Sequence, residues 1–466
     1  MKTLANTRRA GRKESLAVGL LAPLLLALAW HLKHPLMAWL GRGETPLLLG
    51  LALGGLIWRR RWAGKLTSIL LLAVISLTLY REGEYRLQQA AVLAGGERMQ
   101  AVGAHFVVGF SSFDELEPLA ARGLIGGIYL TRRNLRGRTL GEVAADIAAL
   151  QEIRRRAELP PLIVAADQEG GPVSHLSPWL EAMPALASLV GSDDPAERAR
   201  QYGVRQADGL AALGVNLNFG PVVDLRPAVG DLPGDRLTRI ATRAIAADPT
   251  TVGNVAGAYI AGLNEHGVRA TLKHFPGLGQ VRQDTHFRTA RLDLSPAALA
   301  DDWQPFRQLA GTLGTAIMLG HVKLAAIDPE RAASHSAAVV DGLLRGDWNY
   351  DGVLITDDLN MGAVYDLGIG RVAAEALGAG VDLVLVSYDP RQVYRAVYGA
   401  AQALERGEIT ASQLRHSERR LAEFNQAREN GAATGTNAKI AAPAPLICSD
   451  APADSRIAAG KPAVAG

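Results

Sequence analysis

From residue 105 onward, short runs rich in Val, Ile and Leu recur at intervals of about twenty to fifty residues. They cover residues 105–110, 125–130, 162–166, 215–225, 270–274, 316–321, 353–356 and 381–387. Near-continuous apolar runs of this length are what parallel strands buried on both faces require. Helical patterns fill the gaps. Leu140, Val143, Ile147 and Leu150 mark one helix face, and Thr139 with Glu142 forms a capping box at its start. Asp248-Pro249, Ser295-Pro296 and Asp389-Pro390 each read as an N-cap followed by Pro at the first helical position. Gly123, Gly214, Gly267 and Gly380 stand where helices should end, just before the next strand. Eight strands alternating with helices predict an α/β fold, a (β/α)8 TIM-type barrel with some insertions. A doubly wound sheet would carry a Gly-rich phosphate turn after its first strand, and Gly109-Phe110-Ser111-Ser112 is not one.

The first eighty residues are built differently. Apolar runs at 16–30, 46–58 and 66–80 are separated by basic residues, with Lys2, Arg8, Arg9, Arg12 and Lys13 ahead of the first and Arg59, Arg60, Arg61 and Lys65 between the last two. A signal peptide accounts for one run only, and no small-residue cleavage site follows Trp30. The pattern predicts an N-terminal transmembrane helical segment in contact with the lipid bilayer. Basic clusters favour the cytoplasm, so the first two runs form a hairpin and the third crosses outward. The barrel is then periplasmic or extracellular; if the short second run does not span, it is cytoplasmic. The expected organisation is a membrane segment over 1–82 with about three apolar helices, a barrel over 83–430, and a disordered Ala/Pro/Gly tail over 431–466.

Composition narrows the chemistry. With 49 basic against 46 acidic residues the net charge is +3, so no nucleic-acid partner is expected. The single Cys448 removes disulfide frameworks and Cys-cluster metal sites. In a barrel the active site forms where strands end. Five strand ends bring polar residues together: Asp167-Gln168-Glu169, Asn218 with Asp224, Lys273-His274, His321, and Thr356-Asp357-Asp358. Two chemistries suit such a set. Glycoside hydrolysis needs one carboxylate at the anomeric centre and an acid for the leaving oxygen. A metal site needs two or three ligands held together, and Asp284-Thr285-His286 with Asp167-Gln168-Glu169 could supply them. No His-x-x-x-His pair supports zinc and no Lys-Ser/Thr follows Gly277-Leu278-Gly279, so no metal or other cofactor is expected.

The segment Lys273-His274-Phe275-Pro276-Gly277-Leu278-Gly279, followed by Asp284-Thr285-His286, resembles the signature of glycoside hydrolase family 3. With Asp167-Gln168-Glu169-Gly170-Gly171 and Thr356-Asp357-Asp358-Leu359-Asn360-Met361 it is most similar to the single-barrel β-N-acetylhexosaminidase branch, over about residues 100 to 425. The resemblance implies a carbohydrate substrate and a covalent glycosyl-enzyme. Asp357 takes the position of the nucleophile. His286 takes that of an acid/base on a mobile loop, oriented by Asp284. Asp167, Arg243, Lys273 and His274 match residues that bind sugar hydroxyls, Asp358 is expected to support its loop, and His321 is either a site residue or structural. Pro172, His175 and Leu278 stand where the family pattern has Arg, Arg and His, and Arg288-Thr289 replaces Leu-Pro after His286. These departures leave the reacting residues in place and bear on substrate choice. Together with the N-terminal apolar segment, which lies outside the family pattern, the resemblance points to a membrane-anchored retaining exo-β-N-acetylhexosaminidase acting on cell-wall-type glycosides. The alternatives are a family 3 hydrolase of another β-glycoside and a silent sugar-binding membrane protein.

Overall fold

The computed structural model describes residues 21–59, 65–228, 237–311 and 314–435. Its centre is one parallel sheet of eight strands: β1 (Phe106–Val108), β2 (Gly127–Leu130), β3 (Ile163–Ala166), β4 (Leu217–Asn218), β5 (Arg269–Phe275), β6 (Thr315–Leu319), β7 (Leu354–Thr356) and β8 (Val384–Val386). Neighbours in space are neighbours in sequence, and β8 pairs back onto β1 with Phe106 opposite Val384. A single bridge, Ile355 to Leu383, links β7 and β8 and nearly closes the barrel.

The alternation of side chains explains why every strand reads as a solid apolar run. Val107, Tyr129, Ile163, Ala165, Leu217, Ala316, Met318, Ile355 and Leu385 pack together inside the barrel. Their neighbours Phe106, Val108, Ile128, Val164, Ile317, Leu354 and Val384 face outward onto the helices. Both faces are buried, as expected of a parallel sheet under helices.

All eight runs contain a barrel strand, but the fourth is nearly all loop. Of 215–225 only Leu217–Asn218 joins the ladder. Pro221 has no N–H to donate, so the regular ladder stops there, and beyond it the chain meets the sheet at Val222, opposite Lys273. Four of the helices that follow strands begin as expected. Thr139 and Glu142 form the capping box of α4 (Leu140–Arg156). Asp248 caps α6 (Pro249–Asn264), and Ser295 caps the short turn leading into α7 (Ala300–Leu309). Asp389 caps the turn before α9 (Val393–Glu405), and α5 (Pro195–Ala212) and α8 (Ile369–Gly378) complete the shell. Gly214 and Gly380 hold φ of +88° and +97° at helix-to-strand junctions, where a side chain would be strained.

Helix α10 (Ala411–Gly435) stops the lower end of the barrel: Phe424 reaches the interior cluster, and Arg420 and Arg345 pair with the buried Asp382 at 2.8 and 2.7 Å. It carries residues 431–435 of the expected tail; the rest of that tail, with Cys448, lies outside the described residues, as do Lys2 to Lys13 and Arg60–Arg61.

Ahead of the barrel stand three apolar helices, α1 (Leu21–Trp30), α2 (Glu44–Arg59) and α3 (Lys65–Ala94). By length and composition α3 alone among the described residues could cross a membrane. It runs past residue 82 without a break. Leu25, Ala29, Leu48, Ala52, Leu71 and Val74 form a separate small core between the three. Gly55 lies against Leu71, and Thr45 donates to Glu82 at 2.8 Å, so α2 and α3 run antiparallel.

Candidate active site

Strand ends at the upper rim carry the polar residues, so their arrangement follows from the barrel. Asp357 directly follows β7. One carboxylate oxygen accepts the Asp358 N–H at 2.8 Å, and nothing else among the described residues hydrogen-bonds to this half-buried side chain. Burial pushes its pKa up, but the surrounding imidazoles, His274 foremost, and the Asp358 N–H together outweigh burial and hold it below the usual carboxylate range. The group is thus an ionised carboxylate with an oxygen to spare.

Asp358 is fully occupied by its surroundings. It accepts Asn360 N–H at 3.0 Å, Ser387 N–H at 3.0 Å, Ser387 O–H at 2.6 Å and Tyr388 N–H at 2.9 Å, tying the β7 loop to the β8 loop. His321 is buried, bonded to Ser334 Oγ at 2.8 Å and to the Asp358 carbonyl at 3.0 Å. Burial lowers its pKa, so it is a neutral support for that loop.

The loop after β5 brings His286 to the same rim. His286 Nδ1 lies 2.8 Å from Asp284 Oδ1, and Asp284 also accepts the N–H groups of His286 and Leu237 and the Thr238 hydroxyl. Burial raises the Asp284 pKa, but the bonds from His286 and the Leu237 N–H outweigh it and leave it depressed. A carboxylate only accepts, so the ring proton sits on Nδ1 and Nε2 is left for chemistry. Gly362 N–H donates to the His286 carbonyl at 2.8 Å, which pins the His286 loop to the loop bearing Asp357. A Cβ on Gly362 would come within 2.9 Å of the Phe287 carbonyl oxygen. Phe287 itself is exposed.

A second group fills the β3, β4 and β5 side of the mouth. Lys273 Nζ pairs with Asp167 and lies 2.6 Å from Glu169 Oε1. Arg243 grips Glu169 through two bonds of 2.7 and 3.0 Å and reaches His274 Nε2 at 3.4 Å. His274 Nδ1 is 2.7 Å from Asp224, which also accepts the N–H groups of His274 and Leu278. Tyr129 donates to Asp167 at 2.6 Å and touches His175 at 3.1 Å. Burial raises the Asp167 pKa, but Lys273 foremost brings it down to about 2. Two carboxylates are therefore neutralised by two cations. Asp167 and Glu169, possible metal ligands in the sequence, spend themselves on Lys273 and Arg243. Among the described residues no group of three His, Cys, Asp or Glu side chains is arranged to hold a metal ion.

The seven expected site residues all stand at this one mouth. Glu169 was considered from the sequence only as a possible metal ligand, and Asp224 and Tyr129 were assigned no role. The first two sit inside the quoted strand-end segments, where two buried cations at Arg243 and Lys273 called for a second carboxylate; Tyr129 lies within an apolar strand and gave no signal. Of the departures, His175 joins the Asp167 group, Leu278 is buried in the core, and Pro172 is exposed at a two-residue hairpin tip.

Residues 97–424 match the glycosyl hydrolase family 3 N terminal domain. The chain is 36% identical over 276 residues to a beta-hexosaminidase of Alkalilimnicola ehrlichii, covering 58% of this chain and 75% of that protein. It is 33% identical over 288 residues to a beta-hexosaminidase of Pseudomonas aeruginosa, covering 61% and 81%. Among solved structures it is similar to a glycoside hydrolase family 3 beta-N-acetylglucosaminidase from a Paenibacillus species, with TM-score 0.66 and 32% identity over 75% of this chain and 64% of that one. A beta-N-acetylhexosaminidase from Beutenbergia cavernae gives TM-score 0.62 and 29% identity over 71% of this chain and 99% of the other.

Proposed function

Since the chain belongs to glycoside hydrolase family 3 and is a glycoside hydrolase of its β-N-acetylhexosaminidase type, we propose that it is a membrane-anchored retaining enzyme removing terminal β-N-acetylglucosamine from cell-wall-type glycosides. One observation carries the mechanism. An ionised Asp357 with an unengaged oxygen shares its rim with a His286–Asp284 pair, and the Gly362–His286 bond ties the two loops together.

An Asp357 oxygen attacks C1 and forms the ester bond as the bond from C1 to the aglycone oxygen breaks. The His286 imidazolium gives its Nε2 proton to that oxygen, and Asp284 stabilises the charged ring through Nδ1–H. Water then adds to C1, His286 Nε2 takes its proton, and Asp357 leaves as carboxylate. Two inversions give net retention. Asp167, Lys273, His274 and Arg243 form the wall that takes the hydroxyls of the terminal sugar. Their mutual ion pairs hold them rigid before substrate arrives, which favours positioning.

The anchor reading rests on α3 and its two shorter companions, and on the basic residues at 2–13 and 59–65 flanking them. Trp30 and Arg81, and likewise Thr45 and Glu82, meet at the barrel end of the bundle, so α1 and α2 form a hairpin and α3 returns. Arg59 closes α2 and Lys65 opens α3 at the far end, which by the charge rule favours a barrel outside the cytoplasm. Hydrolysis of 4-nitrophenyl N-acetyl-β-glucosaminide by the full chain tests the activity. Turnover that vanishes in Asp357→Ala supports the reading; no turnover by the unsubstituted enzyme, or a preference for the plain glucoside, defeats it.

A further inference from the structure

Where the helical bundle attaches to the barrel decides which way the active site looks. Its contacts are with the loops after β7 and β8, which lie at the catalytic rim. Arg391 pairs with Glu44 and donates to the Gly41 carbonyl at 2.7 Å. Gln392 and Tyr365 both donate to the Lys33 carbonyl. His34 packs on the Tyr365 ring at 4.7 Å and lies 3.5 Å from Asp366. Lys33 pairs with Glu82 at 3.0 Å, and Tyr85 packs on Tyr394 at the start of α9. From that level α3 descends beside α9, with Arg98 pairing Glu405 near the lower end.

The other half of α3, from Lys65 to Tyr80, therefore rises away from the barrel on the catalytic side. At about 1.5 Å per residue it stands roughly 22 Å above the rim. At its base Trp30 and Tyr80 are exposed, 60% and 67%, with Arg81 lying 5.2 Å from the Trp30 ring. Exposed aromatics beside a basic residue at the foot of an apolar bundle are the signature of a membrane–water boundary.

The barrel's own surface repeats the message. Among the described residues from 97 onward, four large hydrophobic side chains are exposed: Leu237 at 52%, Phe287 at 53%, Leu367 at 47% and Tyr388 at 61%. They follow β4, β5, β7 and β8 respectively, so all four ring the mouth. Scattered exposure over a barrel would put some on the lower face.

We propose that the catalytic mouth faces the membrane and rests on it through Leu237, Phe287, Leu367 and Tyr388, and that the substrate is a membrane-borne amphiphile whose terminal β-N-acetylglucosamine stands out from the lipid surface. This rests on the anchored-hydrolase reading above and names its substrate class. A soluble glycan must enter between rim and headgroups, whereas a lipid-linked sugar is delivered there by lateral diffusion.

The test uses the full chain in vesicles of phosphatidylethanolamine and phosphatidylglycerol. A bimane label is placed by Leu367→Cys in a Cys448→Ser background, with Arg156→Cys, on the lower face, as the control. Quenching by lipids carrying a shallow nitroxide at 367 and not at 156 is expected. Hexadecyl N-acetyl-β-glucosaminide in the same vesicles should be cleaved with at least about tenfold higher kcat/KM than in detergent-free solution below micelle formation, and Leu367→Glu should remove most of that gain while leaving aryl glycoside turnover within about twofold. Flotation with the vesicles but equal quenching at 367 and 156 overturns the proposal and leaves the anchor intact. Failure to float sinks the anchor and the proposal together. Quenching at 367 without turnover of either glycoside supports the orientation and defeats the activity.

Discussion

Replacing Glu169 by Gln keeps the side chain's shape and deletes one charge from a group of two carboxylates and two cations. Glu169 accepts two bonds from Arg243, at 2.7 and 3.0 Å, and faces Lys273 at 2.6 Å. The Arg243, Glu169 and Lys273 side chains are 8%, 6% and 2% exposed, so water cannot take over the lost charge. Breaking a buried pair from one side costs about 3–5 kcal/mol. The Gln oxygen still accepts one donor, so the lower figure applies, about 3 kcal/mol. A barrel of this size loses about 2 °C of Tm per kcal/mol, so thermal unfolding should fall by about 6 °C. Glu169→Gln combined with Arg243→Gln should be less destabilised than the sum of the two, because the second change removes the unpaired cation. Differential scanning calorimetry at neutral pH measures both. A Tm for Glu169→Gln within about 1 °C of the parent, with additive effects in the double variant, would refute the claim that this charge group holds the sugar wall together.

His286→Ala removes the proton donor, so kcat/KM on alkyl or sugar aglycones should fall about 10²–10⁴-fold, while an aryl glycoside with a good leaving group loses much less in the first step; equal losses on both would contradict the acid role. Gly362→Val sets a branched side chain against the backbone carbonyls of Phe287 and His286, so kcat should drop about tenfold with little change in Tm if the loop merely shifts. Unchanged kcat would show that the Gly362 contact does not place His286. The folded Asp167 pKa of about 2 lies below an unfolded value of about 3.9, so its contribution is complete above pH 4 and drains away as pH falls toward 2. Acid titration followed by circular dichroism should show Asp167→Asn losing less stability than the parent across that window; parallel curves would remove Asp167 from the acid sensitivity.

Much of the fold was legible because its signals are local. Buried parallel strands must be apolar on both faces, and Val107 inside with Val108 outside shows why alternation was absent. The caps at Thr139, Asp248 and Ser295 are set by residues three or fewer positions apart. The fourth strand was overread because apolar content survives in loops: 219–225 is nearly as apolar as a strand, yet Pro221 takes it out of the ladder. The proposed reacting residues, Asp357 and His286, were legible because both fall in short segments that resemble the family's motifs. Glu169 as the partner of Arg243 was not, since the two are 74 positions apart and only the closed barrel brings them together. The docking of residues 31–44 onto the β7 and β8 loops was equally out of reach, as Arg391 and Glu44 meet across 347 positions.

The most direct measurement is covalent. Incubation of the full chain with a 5-fluoro derivative of the N-acetylglucosaminyl donor, followed by proteolysis and peptide mass spectrometry, should find the sugar esterified to Asp357, with Asp357→Asn unlabelled and His286→Ala still labelled when the leaving group is fluoride. Sugar carried on any other carboxylate, or no adduct from an enzyme that still turns over its substrate, would contradict the assignment of nucleophile and acid to the β7 and β5 loops.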